Sequence, residues 1–319
     1  MSLAKVIFFY GRFLIPFSRI GFRLKGLSVP DSYAGLAGKT VLVTGATGGI
    51  GEGLALGAAR SGATVLAVGR NDDKLATLVG KADGMAGRIE PVRADVDLVA
   101  GTRALLRELS ARPGGIDVLF NNIGILHDDF QATPEGLDAM YAVNILNPYI
   151  LTQGLIEAGK LDGGVIVNMA SGGMYGTAQN LRFMEQTSER FNGTMAYGTH
   201  KRAQMVLSDW WGREWAGIAA YTMHPGWVDT EGVQRSLPQF RKVLRRVLRN
   251  AEQGADTGLW LAGTRPGMKP GALWFDRAPR TAHAYGYTRK DKASAEEIRA
   301  RLAADAARLS AEFPAGDAA

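Results

Sequence analysis

Cysteine is absent from all 319 residues, which excludes disulfides and thiolate metal sites. The chain therefore needs no oxidising compartment, and a cytoplasmic setting is expected. Histidine is scarce, with four in the chain and no H-E-x-x-H or comparable cluster, so no metal centre is expected. No apolar run approaches the roughly 20 residues of a membrane-spanning helix. The apolar start is broken by Arg12, Pro16 and Arg19 and shows no small-residue cleavage site, which argues against a secretory signal. Acids are missing from residues 1–30, where Lys5, Arg12, Arg19, Arg23 and Lys25 stand alone. Internal repeats and low-complexity runs are missing too.

A hydrophobic content of 46% supplies a large core, at the upper end of size for one α/β domain. Apolar, β-branched runs near 40–44, 64–69, 89–94, 117–121, 164–170, 218–223 and 271–275 alternate with helical stretches. That rhythm predicts one doubly wound, seven-stranded parallel sheet with helices on both faces. Residues 1–38 read as a basic amphipathic extension, 39–276 as the catalytic domain, and 277–319 as a tail with a helix.

The first strand runs straight into T-G-A-T-G-G-I-G at 44–51, followed by an alanine-rich helical stretch. A strand, a glycine turn and a helix start place backbone N–H groups against a pyrophosphate. Two spacings are possible: Gly45, Gly49 and Gly51, or Gly45, Gly48 and Gly51. At the tip of the second strand stand Arg70 and Asn71, with no carboxylate before Asp72. An acid there would accept from a ribose 2′-OH, whereas a guanidinium pairs with a 2′-phosphate. NADP(H) is therefore favoured over NAD(H). Asp95, after the third strand, is placed to accept from an adenine amino group.

Tyr197 and Lys201 lie one helical turn apart in Y-G-T-H-K and share a face. An ammonium beside a phenol favours the phenolate, which brings its pKa down from about 10 towards neutrality. Ser171 ends an apolar run and would offer its hydroxyl to a substrate oxygen at a strand tip. Asn144, in a preceding helix, could hold a water that links Lys201 to solvent. His200 sits off the Tyr–Lys face and His224 precedes a proline–glycine turn, so both read as structural.

These residues, with N-N-I-G at 121–124 and H-P-G-W-V-D-T at 224–230, resemble the short-chain dehydrogenase/reductase superfamily over about residues 39–276. Ile123 departs from the usual alanine of N-N-A-G. Ser171-Gly-Gly-Met174, Asn192 to Tyr197, Met223 to Thr230 and Gln253 to Thr257 are similar to a narrower group in it, the member 12 type. So are the Met1-Ser-Leu start and Phe275-Asp276-Arg277. The resemblance implies a single Rossmann-type fold and a catalytic tetrad of Asn144, Ser171, Tyr197 and Lys201. It implies a dinucleotide held by Gly45, Thr47, Gly48, Gly49, Ile50, Gly51, Arg70, Asn71, Asp95, Val96, Asn122, Ile123 and Gly124. Tyr197, Lys201, Pro225, Gly226, Val228 and Thr230 would complete that set, the last four closing on the nicotinamide. It also implies a homo-oligomer paired through the helices bearing Asn144 and Tyr197.

The stretch between Ser171 and Tyr197 is long and holds Met174, Tyr175, Leu181, Phe183, Met184 and Phe191. An apolar, methionine-bearing wall would suit a bulky lipophilic ketone or aldehyde, or the corresponding alcohol. Its charged members leave a surface excursion as the other reading.

Val6, Tyr10, Phe13, Phe17, Ile20 and Leu24 recur at helical steps among the basic residues of the N-terminus, and Pro16 should kink or divide that helix. R-K-V-L-R-R-V-L-R at 241–249 repeats the pattern, and the resemblance places it over the substrate mouth. Such segments can contact a membrane surface; otherwise residues 1–30 dock on the protein's own core or a partner subunit, and 241–249 form a lid whose charges are simply solvated. No nucleic-acid recognition motif accompanies the charge. A last helix from Ser294 to about Phe313, capped by Ser294 and Glu297, carries Ile298, Leu302, Leu309 and Phe313 for docking on a surface. The rival to an enzyme is an NADP-binding interaction or membrane-surface protein with little turnover.

Overall fold

A computed structural model describes residues 11–313. Lys5, Val6, Tyr10 and the Met1-Ser-Leu start lie outside the described residues. Strands β1 (Thr40–Thr44), β2 (Thr64–Gly69), β3 (Arg88–Arg93), β4 (Val118–Asn121), β5 (Val165–Met169), β6 (Ala219–Met223) and β7 (Ala272–Phe275) fall where the apolar runs predict them. They pair in parallel in the order β3-β2-β1-β4-β5-β6-β7. Alternate residues serve opposite faces: Val41 and Val43 enter one core, Leu42 the other. The order reverses between β1 and β4, which opens a crevice at their carboxyl ends.

An eighth strand, β8 (Ala278–Thr281), adds to the edge antiparallel to β7, so the sheet has eight strands rather than seven and runs past residue 276. Its A-P-R-T sequence lacks strand patterning, and Pro279 is tolerated because the edge needs no N–H from it. The turn needs Asp276 and Arg277 at φ 52° and 57°, a left-handed conformation without glycine. Ion pairs hold it: Asp276 with Arg249 at 2.6 Å, and Arg277 with Asp256 at 2.5 Å.

Both extensions fold onto this frame. Residues 11–17 are helical, and the helix breaks at Ser18, beyond Pro16. The Ser18 hydroxyl donates to the Ile15 carbonyl at 2.8 Å and caps a second helix, Arg19–Leu24. The break shifts the buried face. Phe13 and Phe17 stay inside, but Phe22 replaces Ile20 and Leu24, which are exposed. Phe17 packs against Tyr175, His224 and Phe275. The buried Arg249 guanidinium donates to the Pro16 and Phe17 carbonyls at 2.9 and 3.1 Å, tying the extension to the sheet edge.

The C-terminal helix, Ala295–Glu312, has the expected capping box at Ser294 and Glu297. Ile298, Leu302 and Leu309 are fully buried in the cluster that contains Tyr149, Trp210 and Trp211. Asp305 accepts from the Tyr141 hydroxyl at 2.6 Å. The helix thus docks within its own chain, on the helix Gly193–Glu214 and the turn Ala142–Leu146.

Candidate active site

The glycine loop settles the spacing in physical terms. Gly45 and Gly49 have φ of 65° and 54°, and a Cβ on Gly51 would lie 2.0 Å from the Gly45 carbonyl oxygen. Gly48 is extended, a conformation any residue adopts. Conformation therefore demands Gly45, Gly49 and Gly51. Around Gly48 the space is open, and the helix Gly49–Arg60 points its first N–H groups there. A pyrophosphate fits this cradle.

The neighbours build the loop. Asn122 donates through Nδ2 to the Thr44 carbonyl at 2.9 Å and to that of Gly45 at 3.3 Å. Its amide nitrogen fixes the shape of the loop. Ile123 packs its Cγ1 beside Gly45, and the Thr47 methyl packs towards Gly69. Ile50 and Val228 both pack at Gly254. Thr230 Oγ1 caps the helix Glu231–Ser236, while its methyl lies against Gly49. The P-G-x-x-x-T segment thus closes onto the glycine loop. Pro225 and Gly226 are set by His224, whose Nδ1 accepts from the Gly226 N–H at 2.8 Å.

At the tip of β2 the Arg70 guanidinium is not free. Arg70 donates to Asp97 at 2.5 Å. Asn71 Oδ1 is occupied in capping the helix Asp72–Lys81, accepting from the Lys74 N–H at 2.8 Å. Asp95 accepts from the Asp97 N–H, and the Val96 carbonyl from Asn147, both within the loop after β3. Burial pushes the Asp97 carboxyl up, Arg70 pulls it down, and Asp95 raises it again.

Ser171 follows β5 and caps a short 3-10 turn, Gly172–Gly176. Gly173 brings that turn against the Tyr197 ring, where a Cβ would lie 3.1 Å from Cδ1. Burial raises the Tyr197 phenol above its ordinary value, and the Ser171 hydroxyl lowers it in part. Lys201 Nζ donates to the Met169 carbonyl at 2.8 Å, 5.8 Å from the Tyr197 ring centre. Burial brings its pKa down to about 7. Gly124 faces the same ammonium: a Cβ there would stand 2.9 Å from Nζ. Asn144 lies in a π-turn, Ala142–Leu146, and exchanges two bonds with the backbone of Ile125, at 2.8 and 2.9 Å.

Between Lys201 and Asn144 stands a residue that sequence reasoning passed over. Gln204 Nε2 donates to the Asn144 carbonyl at 2.8 Å, and its Oε1 accepts from Lys201 at 3.5 Å. It joins the two directly, buried from solvent. Its position was the available signal, since it follows Lys201 by three residues and Tyr197 by seven on one helix face. Asp97 and Arg249 were also missed as partners, because each is paired through the fold rather than the chain.

The wall between Ser171 and Tyr197 turns largely inward. Met174 and Tyr175 are buried against Phe13 and Phe17, and Met184 against the main core. Phe191 remains half-buried, edge-on to Phe130 at 5.8 Å. His200 is the packing residue it was expected to be: its Nε2 donates to the Met184 carbonyl, and burial lowers its pKa to about 4. Among the described residues no cluster of potential metal ligands occurs.

A family model for short chain dehydrogenases matches residues 39–240. The human dehydrogenase/reductase SDR family member 12 is 32% identical over 290 residues, covering 89% of this chain and 91% of that protein. A 3beta-hydroxysteroid dehydrogenase of Mediterraneibacter gnavus is 31% identical over 229 residues, covering 70% and 77%. The crystal structure of the angucycline C-6 ketoreductase LanV with bound NADP superposes with a TM-score of 0.61. It is 25% identical and covers 81% of this chain and 98% of its own. The family's glycine loop, N-N-x-G element and Tyr–Lys helix meet in one crevice of this fold, and the chain belongs to the short-chain dehydrogenase/reductase family.

Proposed function

We propose that the protein is an NADP(H)-dependent oxidoreductase that interconverts a lipophilic ketone or aldehyde and its alcohol. The observation that carries this reading is the meeting of Tyr197, Lys201 and Ser171 at the carboxyl ends of the strands, beside the open glycine cradle. When bound, NADPH supplies the hydride. Gly45 to Gly51 would hold its pyrophosphate, and Arg70 the 2′-phosphate. Ser171 then donates to the carbonyl oxygen, and Tyr197 gives that oxygen its proton. Lys201 has one further N–H beyond Met169 and Gln204, free for a ribose hydroxyl. An additional acceptor favours its charged form, and the charge draws the Tyr197 phenol down from its raised value.

A lipophilic substrate is supported by two relatives whose names specify a steroid and an angucycline, both polycyclic. Phe130 and Phe191 offer the aromatic surface that such a substrate needs. NADP is supported by Arg70, by the absence of a carboxylate at the tip of β2, and by the NADP bound to LanV. A cytoplasmic enzyme suits a chain without cysteine. The homo-oligomer implied by the family would need a face other than the one covered by the C-terminal helix.

Paired titrations with NADPH and NADH test the reading, followed by turnover on a panel of polycyclic ketones. Arg70→Ala should weaken NADPH by about tenfold, the loss of one charged hydrogen bond, and leave NADH unchanged. Asp97→Asn frees Arg70 and should tighten NADPH. Tyr197→Phe should keep cofactor binding and lose turnover by about a hundredfold or more. No binding of either nucleotide would remove the reading.

A further inference from the structure

Exposed apolar side chains are few and unevenly placed. Of the eight large ones among the described residues, Met268 and Tyr287 stand elsewhere, while Leu14, Ile15, Ile20, Leu24, Leu237 and Val243 belong to two segments, the N-terminal helices and the region 237–243. Leu24 and Val243 are 74% and 79% exposed. The segments adjoin, since the Arg19 N–H donates to the Val247 carbonyl at 2.9 Å and Arg249 holds the Pro16 and Phe17 carbonyls. Between them stand exposed cations: Arg19 and Arg23 on one segment, Lys242, Arg245 and Arg246 on the other. None of the five has an ion pair among the described residues. The acids nearby are engaged, Asp276 by Lys25 and Arg249, Asp229 by Arg241, and Glu231 by Lys74.

Burial explains why this surface is left over. The inner faces of the same helices are already filled by Phe13, Phe17 and Phe22. On the helix Arg19–Leu24, what points outward is Arg19, Ile20, Arg23 and Leu24, a strip of alternating charge and hydrocarbon. A water-facing strip has no use for the hydrocarbon, and a protein core cannot take the charge.

We propose that this surface docks on an anionic phospholipid bilayer. Leu24, Ile20 and Val243 enter the interface between headgroups and acyl chains, and the five cations meet lipid phosphates and carboxylates. The binding is peripheral: among the described residues no helix is long and apolar enough to cross a membrane. The docked segment also covers the site. Phe240, on the helix Pro238–Leu244 that bears Val243, packs edge-on to Trp227 of the P-G-x-x-x-T turn at 5.1 Å. Ser236 donates to the Leu126 carbonyl beside N-N-I-G at 2.9 Å. A docked molecule thus presents the cover of its crevice to the lipid phase, where a polycyclic carbonyl compound concentrates. That consequence rests on the proposed function; the docking itself does not.

Flotation of the full chain with vesicles tests the docking, using phosphatidylcholine alone and phosphatidylcholine mixed with phosphatidylserine. Binding is expected only to the anionic vesicles and should fall as salt rises. Each cation near an anionic surface is worth a factor of about five in partitioning, so Arg19→Gln, Arg23→Gln and Arg246→Gln together should weaken it roughly a hundredfold. Ile20→Ser with Leu24→Ser should also release the protein, with its thermal unfolding and NADPH titration unchanged. No binding to anionic vesicles at low salt overturns the proposal, as does binding that survives both sets of substitutions. A fall in molar mass by light scattering after Ile20→Ser and Leu24→Ser, without loss of flotation, would make this strip a subunit interface and also overturn it.

Discussion

The two ends of the chain are both amphipathic, and the fold uses them differently. The C-terminal helix buries Ile298, Leu302 and Leu309, and its outer face mixes signs within single turns, as in Arg301–Asp305 and Arg308–Glu312. It has spent its surface inside the molecule. The N-terminal helices bury three phenylalanines yet leave four aliphatic side chains exposed beside Arg19 and Arg23, which have no ion pair among the described residues. The hydrophobic period of a helix says that one face will be covered. Only the second face, its residual hydrocarbon and the balance of its charge, says whether anything else must come.

The largest expected effects would break this comparison if the N-terminal helices were only loosely attached. Phe17 is 1% exposed in an aromatic cluster, and Leu302 is fully buried beneath the C-terminal helix. Phe17→Ala should cost about 3–5 kcal/mol and Leu302→Ala about 2–5 kcal/mol in equilibrium denaturation. A small loss for Phe17→Ala, with Leu302→Ala behaving as expected, would mean that the N-terminal segment detaches while the domain stays folded.

Much of this was legible in the sequence. Seven strands, the glycine loop, the Tyr–Lys helix and the C-terminal capping box announce themselves through local patterns, because each depends on neighbours in the chain. What the sequence concealed depends on distant partners. Strand β8 has no strand pattern, and its left-handed turn is held by Arg249 and Asp256. The inward course of Met174 and Tyr175 is decided by Phe13 and Phe17, which no spacing links to them. Gln204 looked like one more polar helix position until the fold set it between Lys201 and Asn144. Nor could composition show that Arg70 would meet Asp97. The N-terminal stripe reads as one apolar face kinked or divided at Pro16; the division falls at Ser18, whose hydroxyl ends one helix and caps the next, and Ile20 and Leu24 turn outward.

Acid gives a smaller and more even effect, because a buried neutral histidine lies beneath each extension. His224 stacks on Phe17 at 4.4 Å, and burial, with Arg249 nearby, lowers its pKa to about 3. His200 bonds to Met184, in the core that the C-terminal helix completes, and titrates near 4. Both values are depressed below the 6.5 of an unfolded chain. Between pH 6.5 and 4 the unfolded state therefore takes up protons that the folded state refuses. Stability should be full above pH 6.5 and should fall as pH drops to about 4, by on the order of 3 kcal/mol for His200 alone. His200→Gln keeps a donor for the Met184 carbonyl and removes the titration. Its denaturation midpoints should be flatter across that window than those of the parent, and identical pH profiles would show that other groups govern acid unfolding.

The smallest effects in water sharpen the comparison most. Leu24→Ser and Val243→Ser remove exposed hydrocarbon that touches little, so each should alter stability by no more than about 0.5 kcal/mol. Arg308→Ala, which breaks a half-exposed pair on the C-terminal helix, should likewise cost about 0–1 kcal/mol. By thermal unfolding in buffer the three variants should be hard to tell apart. Repeated with anionic vesicles present, the parent and Arg308→Ala should shift together, because a ligand that binds only the folded state stabilises it by mass action. Leu24→Ser and Val243→Ser should shift less. A common response of all three would mean that the two outer faces are equivalent after all, and that leftover hydrocarbon on the N-terminal side has no partner in lipid.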